Sequence, residues 1–187
     1  MNKTLIIVAH PNLDTSTVNR YWLEQLQTYE DKLTIHNLYA HYPNGNIDVA
    51  FEQKLLEESS HVVLQFPIYW FNCPPLLKKW LDDVLTYGWA YGNHSYKLKN
   101  KKIGLAVSAG IRESDYAKTG KYGVTLAELL KPFELTMNYI QADYQSIFAV
   151  YGANNEPEAG YAMTKDELIN SGKKYIEWLM KSGMLSA

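Results

Sequence analysis

Five short apolar segments recur along the sequence and constrain the fold more than any other feature. The first, TLIIVA from Thr4 to Ala9, is continuous and rich in β-branched residues, which favours a central strand covered on both faces. The second, LTIHNL from Leu33 to Leu38, alternates in polarity and predicts a strand nearer an edge. Three further strands are predicted from His61 to Phe66, from Lys102 to Ser108 and from Ser146 to Val150.

Amphipathic stretches fill the intervals between these strands. Apolar residues from Val18 to Tyr29 recur at helical spacing, which predicts a helix from about Thr17 to Glu30. Pro132 is expected to kink or split another helix, from Thr125 to about Met137. Further helices are predicted from Asp48 to about Glu58, from Pro75 onwards, and after the capping box of Thr164 and Glu167. Alternating strands and helices predict one α/β domain over residues 1–187, with a parallel sheet between helical layers.

The overall composition argues against several classes of function. The 187 residues include 18 Lys or Arg and 20 Asp or Glu, and the net charge of −2 gives no electrostatic reason to expect nucleic acid. The single cysteine, Cys73, fits a reducing compartment. No apolar run approaches the roughly 20 residues of a membrane span, so a cytoplasmic protein is predicted. The histidines show no metal-ligand spacing, and no metal site is predicted.

Ligands of open parallel sheets bind beyond the carboxyl ends of the strands, so the loops that follow the strands are candidate sites. The loop from His10 to Asn19 carries hydroxyl groups on Thr15, Ser16 and Thr17 and leads into a helix. These hydroxyls and the free amides of the helix start suit a phosphate group. The alternative, that Ser16 or Thr17 only caps the helix, stays open, because helix caps are nearly universal. The loop lacks the glycine patterns of Walker and dinucleotide motifs.

The loop after the third strand is unusually aromatic. Within FPIYWFNCPP, Phe66, Tyr69, Trp70 and Phe71 lie in a segment stiffened by prolines. Such a run forms a plausible platform for a flat ligand. Packing of these rings in the core or at a dimer interface is an equally open alternative.

The loop after the fourth strand is long and contains glycine. Gly110, just past the strand end, permits close approach of backbone to a ligand. Tyr116 and Tyr122 are possible hydrogen-bond donors, although tyrosines in loops often only cover the surface. The strand ends therefore predict one shared site built from three loops.

Taken together, these segments resemble the flavodoxin-like NAD(P)H:quinone oxidoreductase family over nearly the whole chain. The resemblance is carried by HP and STVN after the first strand, by YPNGNIDVAFEQ, by FPIYWFNCPPLLKKWLDDVLTYGWAYG and by SAGIRESDY. The third segment is long and specific, with a proline, two variable residues, a tryptophan, and a proline-led helix that ends in an aromatic-glycine pair. The chain looks closest to short bacterial members, which include ancillary oxidoreductases of glutathione-gated potassium efflux systems.

The resemblance implies a flavodoxin-like fold with a five-stranded parallel sheet in the order 2-1-3-4-5. It implies a homodimer, NAD(P)H as co-substrate and a tightly bound flavin, which is FMN rather than FAD in the short members. The residues implied to hold the flavin phosphate are His10, Ser16, Thr17, Val18 and Asn19. Those implied to lie along the flavin ring are Pro67, Ile68, Tyr69, Trp70 and Phe71, and those at its polar edge are Ser108, Ala109, Gly110 and Ile111.

Two tyrosines are implied to be catalytic. Tyr116 matches the position of a tyrosine that hydrogen-bonds the reduced flavin in some members, and Tyr122 occupies the position where the family often has its histidine partner. The chain also departs from the family at Gly110, which is followed by Ile111 where two or three glycines are common.

The predicted activity passes a hydride from NAD(P)H, through the flavin, to a quinone or related flat electrophile in a ping-pong order. One alternative is a regulatory ancillary subunit of a membrane potassium efflux system with secondary redox activity. Another is a one-electron carrier, which the net charge of −2 disfavours because such carriers are generally strongly acidic. The sequence does not rank NADH against NADPH and does not name the electron acceptor.

Overall fold

The computed structural model describes residues 3–154 and 161–186, which form a parallel sheet between two layers of helices. The strands are β1 (Thr4–Val8), β2 (Leu33–Asn37), β3 (His61–Pro67), β4 (Lys102–Ser108) and β5 (Asp143–Val150). The helices are α1 (Thr17–Leu26), α2 (Leu38–His41), α3 (Val49–Glu58), α4 (Pro75–Val84), α5 (Leu126–Leu129), α6 (Lys131–Tyr139) and α7 (Lys165–Lys181). The strand order β2-β1-β3-β4-β5 confirms the predicted topology. Within the described ranges, no helix combines the length and apolar character needed to cross a membrane.

The sheet separates two apolar cores. Ile6 and Val8 of β1 pack with Trp22 of α1 and with α7 on one face, whereas Leu5 and Ile7 face the core under α3, α4 and α6. All five residues of β1 are buried, which explains why this strand shows no polar alternation. Strand β2 lies at the edge, as predicted, but its burial does not follow the predicted alternation, because Leu33 and His36 are buried and Ile35 is exposed.

The predicted start of the fifth strand differs from the structure. Strand β5 begins at Asp143 rather than at Ser146. Its first residues are exposed or half-buried on an edge strand, and the pairing with β4 is irregular between Ile103 and Leu105, so no apolar pattern marks this end. The predicted split near Pro132 is confirmed, because α5 and α6 meet at Leu130.

One buried carboxylate joins three elements at the side of the core. Glu52 of α3 has no exposed surface. Its oxygens accept hydrogen bonds from Nε2 of His36 and Nε1 of Trp80, each at 2.7 Å, and a third bond comes from the hydroxyl of Tyr42. Burial raises the pKa of this carboxyl, but the three donors together outweigh burial and hold the pKa below its usual value. Glu52 therefore ties α3 to β2 and α4 as a buried anion.

Glu52→Ala should destabilise the protein by about 3 kcal/mol, because three buried donors lose their acceptor. The measurement is the free energy of unfolding from urea titrations. Glu58→Ala is the matched control, since this glutamate lies on the same helix with 64% of its side chain exposed in a surface ion pair. Its cost should stay below about 0.5 kcal/mol, and similar losses in both variants would contradict the assignment.

Candidate functional site

A cavity of about 260 Å³ opens at the carboxyl edge of the sheet, where the loops after β1, β3, β4 and β5 meet. Ten of the predicted site residues line it: His10, Ser16, Thr17, Val18, Asn19, Pro67, Ile68, Tyr69, Ser108 and Gly110. Asn12, Thr15 and Ala153 also line it, and none of the described residues in the lining has an acidic side chain. The structure therefore brings the three predicted loops into one site and adds the loop after β5.

The start of α1 forms one end of this cavity. Ser16 is the N-cap residue, and its Oγ accepts a hydrogen bond from the amide of Asn19 at 3.2 Å. The hydroxyl keeps its own proton for donation to a ligand, because a serine hydroxyl both accepts and donates. Amides in the first turn of a helix have no partner within the helix, and Val18 belongs to this turn and lines the cavity. Capping and anion binding are thus compatible functions of the same residues.

His10 contributes a second donor to this end. Its Nδ1 accepts a hydrogen bond from the amide of Asn12 at 3.1 Å. Burial lowers the pKa of His10, so the ring is neutral near pH 7. A neutral ring that accepts at Nδ1 carries its proton on Nε2. The loop therefore fixes the tautomer that presents an N–H group.

Asn19 is used within the protein more than the sequence suggests. Only 1% of the residue is exposed, and its Nδ2 donates to Oγ of Ser108 at 2.9 Å. Its backbone amide is engaged by Ser16, as described above. Asn19 thus links the start of α1 to the end of β4, and direct contact with a phosphate stays a prediction.

The aromatic loop after β3 divides into core and rim. Phe66 is fully buried against Phe133, with ring centroids 5.2 Å apart, so this ring belongs to the core. Tyr69 lines the cavity, whereas Trp70 and Phe71 do not, and these three neighbouring residues, called the aromatic rim below, are 39%, 94% and 39% exposed. Core packing is therefore excluded for Trp70.

A tight turn presents the rim aromatics. The amide of Tyr69 donates to the carbonyl of Asn72, and the amide of Asn72 donates back to Tyr69. Trp70 and Phe71, between them, have positive φ angles of 47° and 62°. Bulky side chains rarely adopt this conformation, which costs on the order of 1–2 kcal/mol per residue. Such strain is typical of functional loops that hold a side chain in a required direction.

The backbone after β4 leaves open space at Gly110. A Cβ atom built at this position would meet no closer atom than the carbonyl oxygen of Ala153, at 3.9 Å. Neighbouring Ala109 is fully buried, and its carbonyl accepts from the amide of Ala153. Ile111 packs against the core cluster and does not line the cavity. Of the four predicted residues here, Ser108 and Gly110 face the cavity, and Ala109 and Ile111 support it.

Tyr116 and Tyr122 lie behind the rim and do not line the cavity. Phe71 packs edge-on against Tyr122 at 4.9 Å, and the rings of Tyr122 and Tyr116 are 6.0 Å apart. Tyr116 is 6% exposed, and burial, followed by the nearby Tyr122 and Tyr151, raises its pKa to about 12. The phenol is therefore protonated at neutral pH and can donate a hydrogen bond there. The two predicted catalytic residues lie next to each other, beside Phe71 and outside the cavity lining.

Ala153 and Gln65 were not predicted from the sequence as residues of the site or its support. Ala153 follows β5, and the rule that ligands bind at carboxyl ends of strands applies to that loop as well. Gln65 is a fully buried amide inside the apolar run HVVLQF, and this polar interruption was the signal that a partner lies opposite it. Neither residue belongs to a motif, because both act through neighbours that are distant in sequence.

Known proteins share this sequence over most of its length. The NAD(P)H oxidoreductase YrkL of Bacillus subtilis, described as uncharacterized, is 45% identical over 95% of this chain and 97% of its own. The glutathione-regulated potassium-efflux system ancillary protein KefG of Yersinia enterocolitica is 35% identical over 95% of this chain and 92% of its own.

Solved structures agree with these relatives. General stress protein 14 from Treponema denticola, crystallised in complex with FMN, has a TM-score of 0.87 and 50% identity over 96% of this chain and 99% of its own. An NADPH-quinone reductase from P. pentosaceus has a TM-score of 0.77 and 32% identity over 92% of this chain and 96% of its own. The resemblance predicted from the sequence is confirmed. With residues 2–170 matching the family model for the flavodoxin-like fold, and with the sheet order of that fold, the chain belongs to the flavodoxin-like family.

Proposed function

We propose that this protein is an FMN-dependent NAD(P)H oxidoreductase that reduces quinones or related flat electrophiles. The observation that carries the proposal is one cavity that brings the hydrogen-bond donors of the loop after β1 together with the aromatic loop after β3, with the rings of His10 and Tyr69 6.3 Å apart. The oxidoreductase name of YrkL, the FMN in the Treponema structure and the quinone reductase from P. pentosaceus support the cofactor and the reaction class.

The donors at the start of α1 fit the phosphate of FMN. The N–H of His10, the hydroxyl of Ser16 and the first-turn amide of Val18 can donate to an anion, and no carboxylate among the described residues lines the cavity to repel it. No lysine or arginine among residues 3–154 and 161–186 lines it either. The phosphate would therefore be held by neutral donors and the helix dipole, as the sequence predicts.

The part of the cavity formed by the loops after β3 and β4 fits a flat ring system. Pro67, Ile68 and Tyr69 provide an apolar wall, and the open space at Gly110 admits a ring edge beside exposed backbone. Trp70 and Phe71 are held outside the core, where a ring of the flavin or of a substrate can stack on them. The FMN in the structure of the Treponema relative favours FMN over FAD.

When bound, FMN would supply the two-electron hydride chemistry between a nicotinamide and the electron acceptor. The protein binds the phosphate, orients the ring and limits the access of water. Tyr116 and Tyr122 are placed as phenol donors behind Phe71, and donors of this kind stabilise negative charge that develops during reduction. Because nicotinamides and quinones are both flat and compete for one rim, the order of reaction is ping-pong.

The protein purified with flavin should oxidise NADH or NADPH in the presence of quinones. Initial rates at varied concentrations of both substrates should give parallel lines in double-reciprocal plots, as a ping-pong order requires. Chromatography of the released cofactor should identify FMN rather than FAD. A colourless protein that binds no FMN on titration would contradict the proposal. Intersecting lines would contradict the ping-pong order and the shared binding of both substrates at the aromatic rim.

Trp70→Ala should weaken FMN binding about tenfold, the loss expected for one good aromatic stack. Fluorescence titration of the apoprotein with FMN measures the dissociation constant. Tyr139→Ala is a matched control, because Tyr139 is also an exposed aromatic, at 66%, but lies on α6 away from the cavity lining. If both variants bind FMN like the wild type, Trp70 does not contact the flavin.

Tyr116→Phe and Tyr122→Phe should each slow reduction by NAD(P)H about tenfold or more while FMN affinity changes little, because only a donor to developing charge is lost. Stopped-flow absorbance of the bound flavin gives the rate. Tyr144→Phe is the control, since its buried hydroxyl has no hydrogen-bond partner within the described residues. Unchanged rates in both test variants would remove the tyrosine pair from the mechanism.

A second candidate function rests on the similarity to KefG, whose name makes it an ancillary protein of a potassium efflux system. We propose as the alternative that this chain also binds a membrane transporter, and that it does so as a cytoplasmic homodimer. Light scattering tests the dimer. Co-purification with an efflux transporter, together with altered potassium flux on deletion of this chain, tests the partner, and absence of both effects leaves the oxidoreductase alone.

A further inference from the structure

We infer that Gln65 and Tyr175 are positioning residues that hold the start of α1 in the geometry needed to bind the phosphate group. The inference rests on the proposed function, because it assigns these residues to the phosphate end of the FMN site. Neither residue lines the cavity, and each acts through a chain of buried hydrogen bonds.

This series of hydrogen bonds begins on α7 and crosses the face of the sheet that α1 and α7 cover. The hydroxyl of Tyr175 donates to Oε1 of Gln65 at 3.2 Å, and Nε2 of Gln65 donates to the carbonyl of Asn19 at 3.1 Å. A longer contact, at 3.4 Å, joins the same Nε2 to Oδ1 of Asn19. Asn19 in turn donates to Ser108 at 2.9 Å and to Oγ of the cap residue Ser16. Four of these five residues are at most 3% exposed, and Ser16 is 8% exposed.

The order of donors leaves Gln65 one orientation. The carbonyl of Asn19 can only accept, so Nε2 of Gln65 must face it, and Oε1 of the amide then faces Tyr175. The hydroxyl of Tyr175 donates to this buried oxygen, which would otherwise have no hydrogen bond from α7. Tyr175 therefore holds the Gln65 amide in the position from which it reaches α1.

The ring of Tyr175 is itself held firmly. It stacks on Phe148 with centroids 5.2 Å apart and an interplanar angle of 13°, and it also packs against Trp22 and Trp178. The residue is fully buried, and this burial raises the pKa of the phenol, which stays protonated as the chain of donors requires. Its hydroxyl thus has a defined position relative to the sheet.

A direct hydrogen bond between helices α1 and α7 provides a control. Nε1 of Trp22 donates to Oγ of Ser171 at 3.0 Å. Ser171 precedes Tyr175 by one helical turn and Trp22 lies one turn beyond Asn19, so this contact joins the same two helices through residues that do not line the cavity and without passing through Gln65. Breaking it loosens the packing of the helices and leaves the relay through Gln65 intact.

Comparing FMN with riboflavin isolates the phosphate end, because riboflavin has the same ring system and lacks the phosphate. Fluorescence titrations of the full-length apoprotein should be made with both ligands for the wild type, Tyr175→Phe, Gln65→Met and Ser171→Ala. The readout is the ratio of the riboflavin to the FMN dissociation constant. Circular dichroism and melting temperatures establish that each variant is folded.

Tyr175→Phe and Gln65→Met should each lower this ratio about tenfold, while riboflavin affinity changes less than about twofold. Ser171→Ala should leave the ratio unchanged even where it lowers the melting temperature. In the double variant, Tyr175→Phe should add nothing to Gln65→Met, because the tyrosine acts only through the amide.

Two results would overturn the inference. One is a ratio within about twofold of the wild type in both relay variants, and the other is an equal fall in Ser171→Ala. Gln65→Met alone decides the matter if Tyr175→Phe fails to fold. A wild-type protein that binds neither ligand refutes the proposed function instead, so the two failures are distinguishable.

Discussion

The parallel ladder of β1, β3 and β4 is the interaction on which the rest of the structure depends. Val8 pairs with Gln65, and Pro67 pairs with Ser108, so the strands end side by side. The ladder continues past these ends, because the amide of Ala9 donates to Gln65 and that of Ile68 donates to Ser108. The loops thus leave the sheet from a rigid edge. A site assembled from residues far apart in sequence acquires fixed geometry in this way.

Because the strands are parallel, the partly positive starts of the helices and their partly negative ends lie at opposite edges of the sheet. Helix starts lie at the carboxyl edge of the sheet, and the opposite ends, with their free carbonyl groups, lie at the amino edge. Lysines meet those carbonyls: Lys101 donates to Leu56 at the end of α3 at 2.7 Å, and Lys102 donates to Ser182 after α7 at 2.8 Å. The described part of the cavity lining has no lysine or arginine. A phosphate held there would depend on helix geometry, which explains why buried support for α1 matters.

Many of the strands and helix starts could be predicted from the sequence, because the local residue pattern of each element agrees with its position in the fold. The apolar run of β1 implies a covered strand, and Pro75 starts α4 because a proline lacks the amide that a first helical residue does not use. The start of β5 and the role of Asn19 were not predictable in this way. At Asp143 the edge position removes the apolar pattern, and the partner of Asn19 lies 89 residues away at Ser108.

The sequence by itself determined the strands and helices, the hydroxyl-rich and aromatic loops, and the family, because each depends on local pattern or on long motifs. Only the tertiary structure decided how the aromatic loop is divided, with Phe66 in the core and Trp70 almost wholly exposed. It alone showed that Gln65 connects Tyr175 to Asn19. The physical reason is that burial and hydrogen-bond direction are properties of the folded chain, set by neighbours that sequence spacing does not reveal.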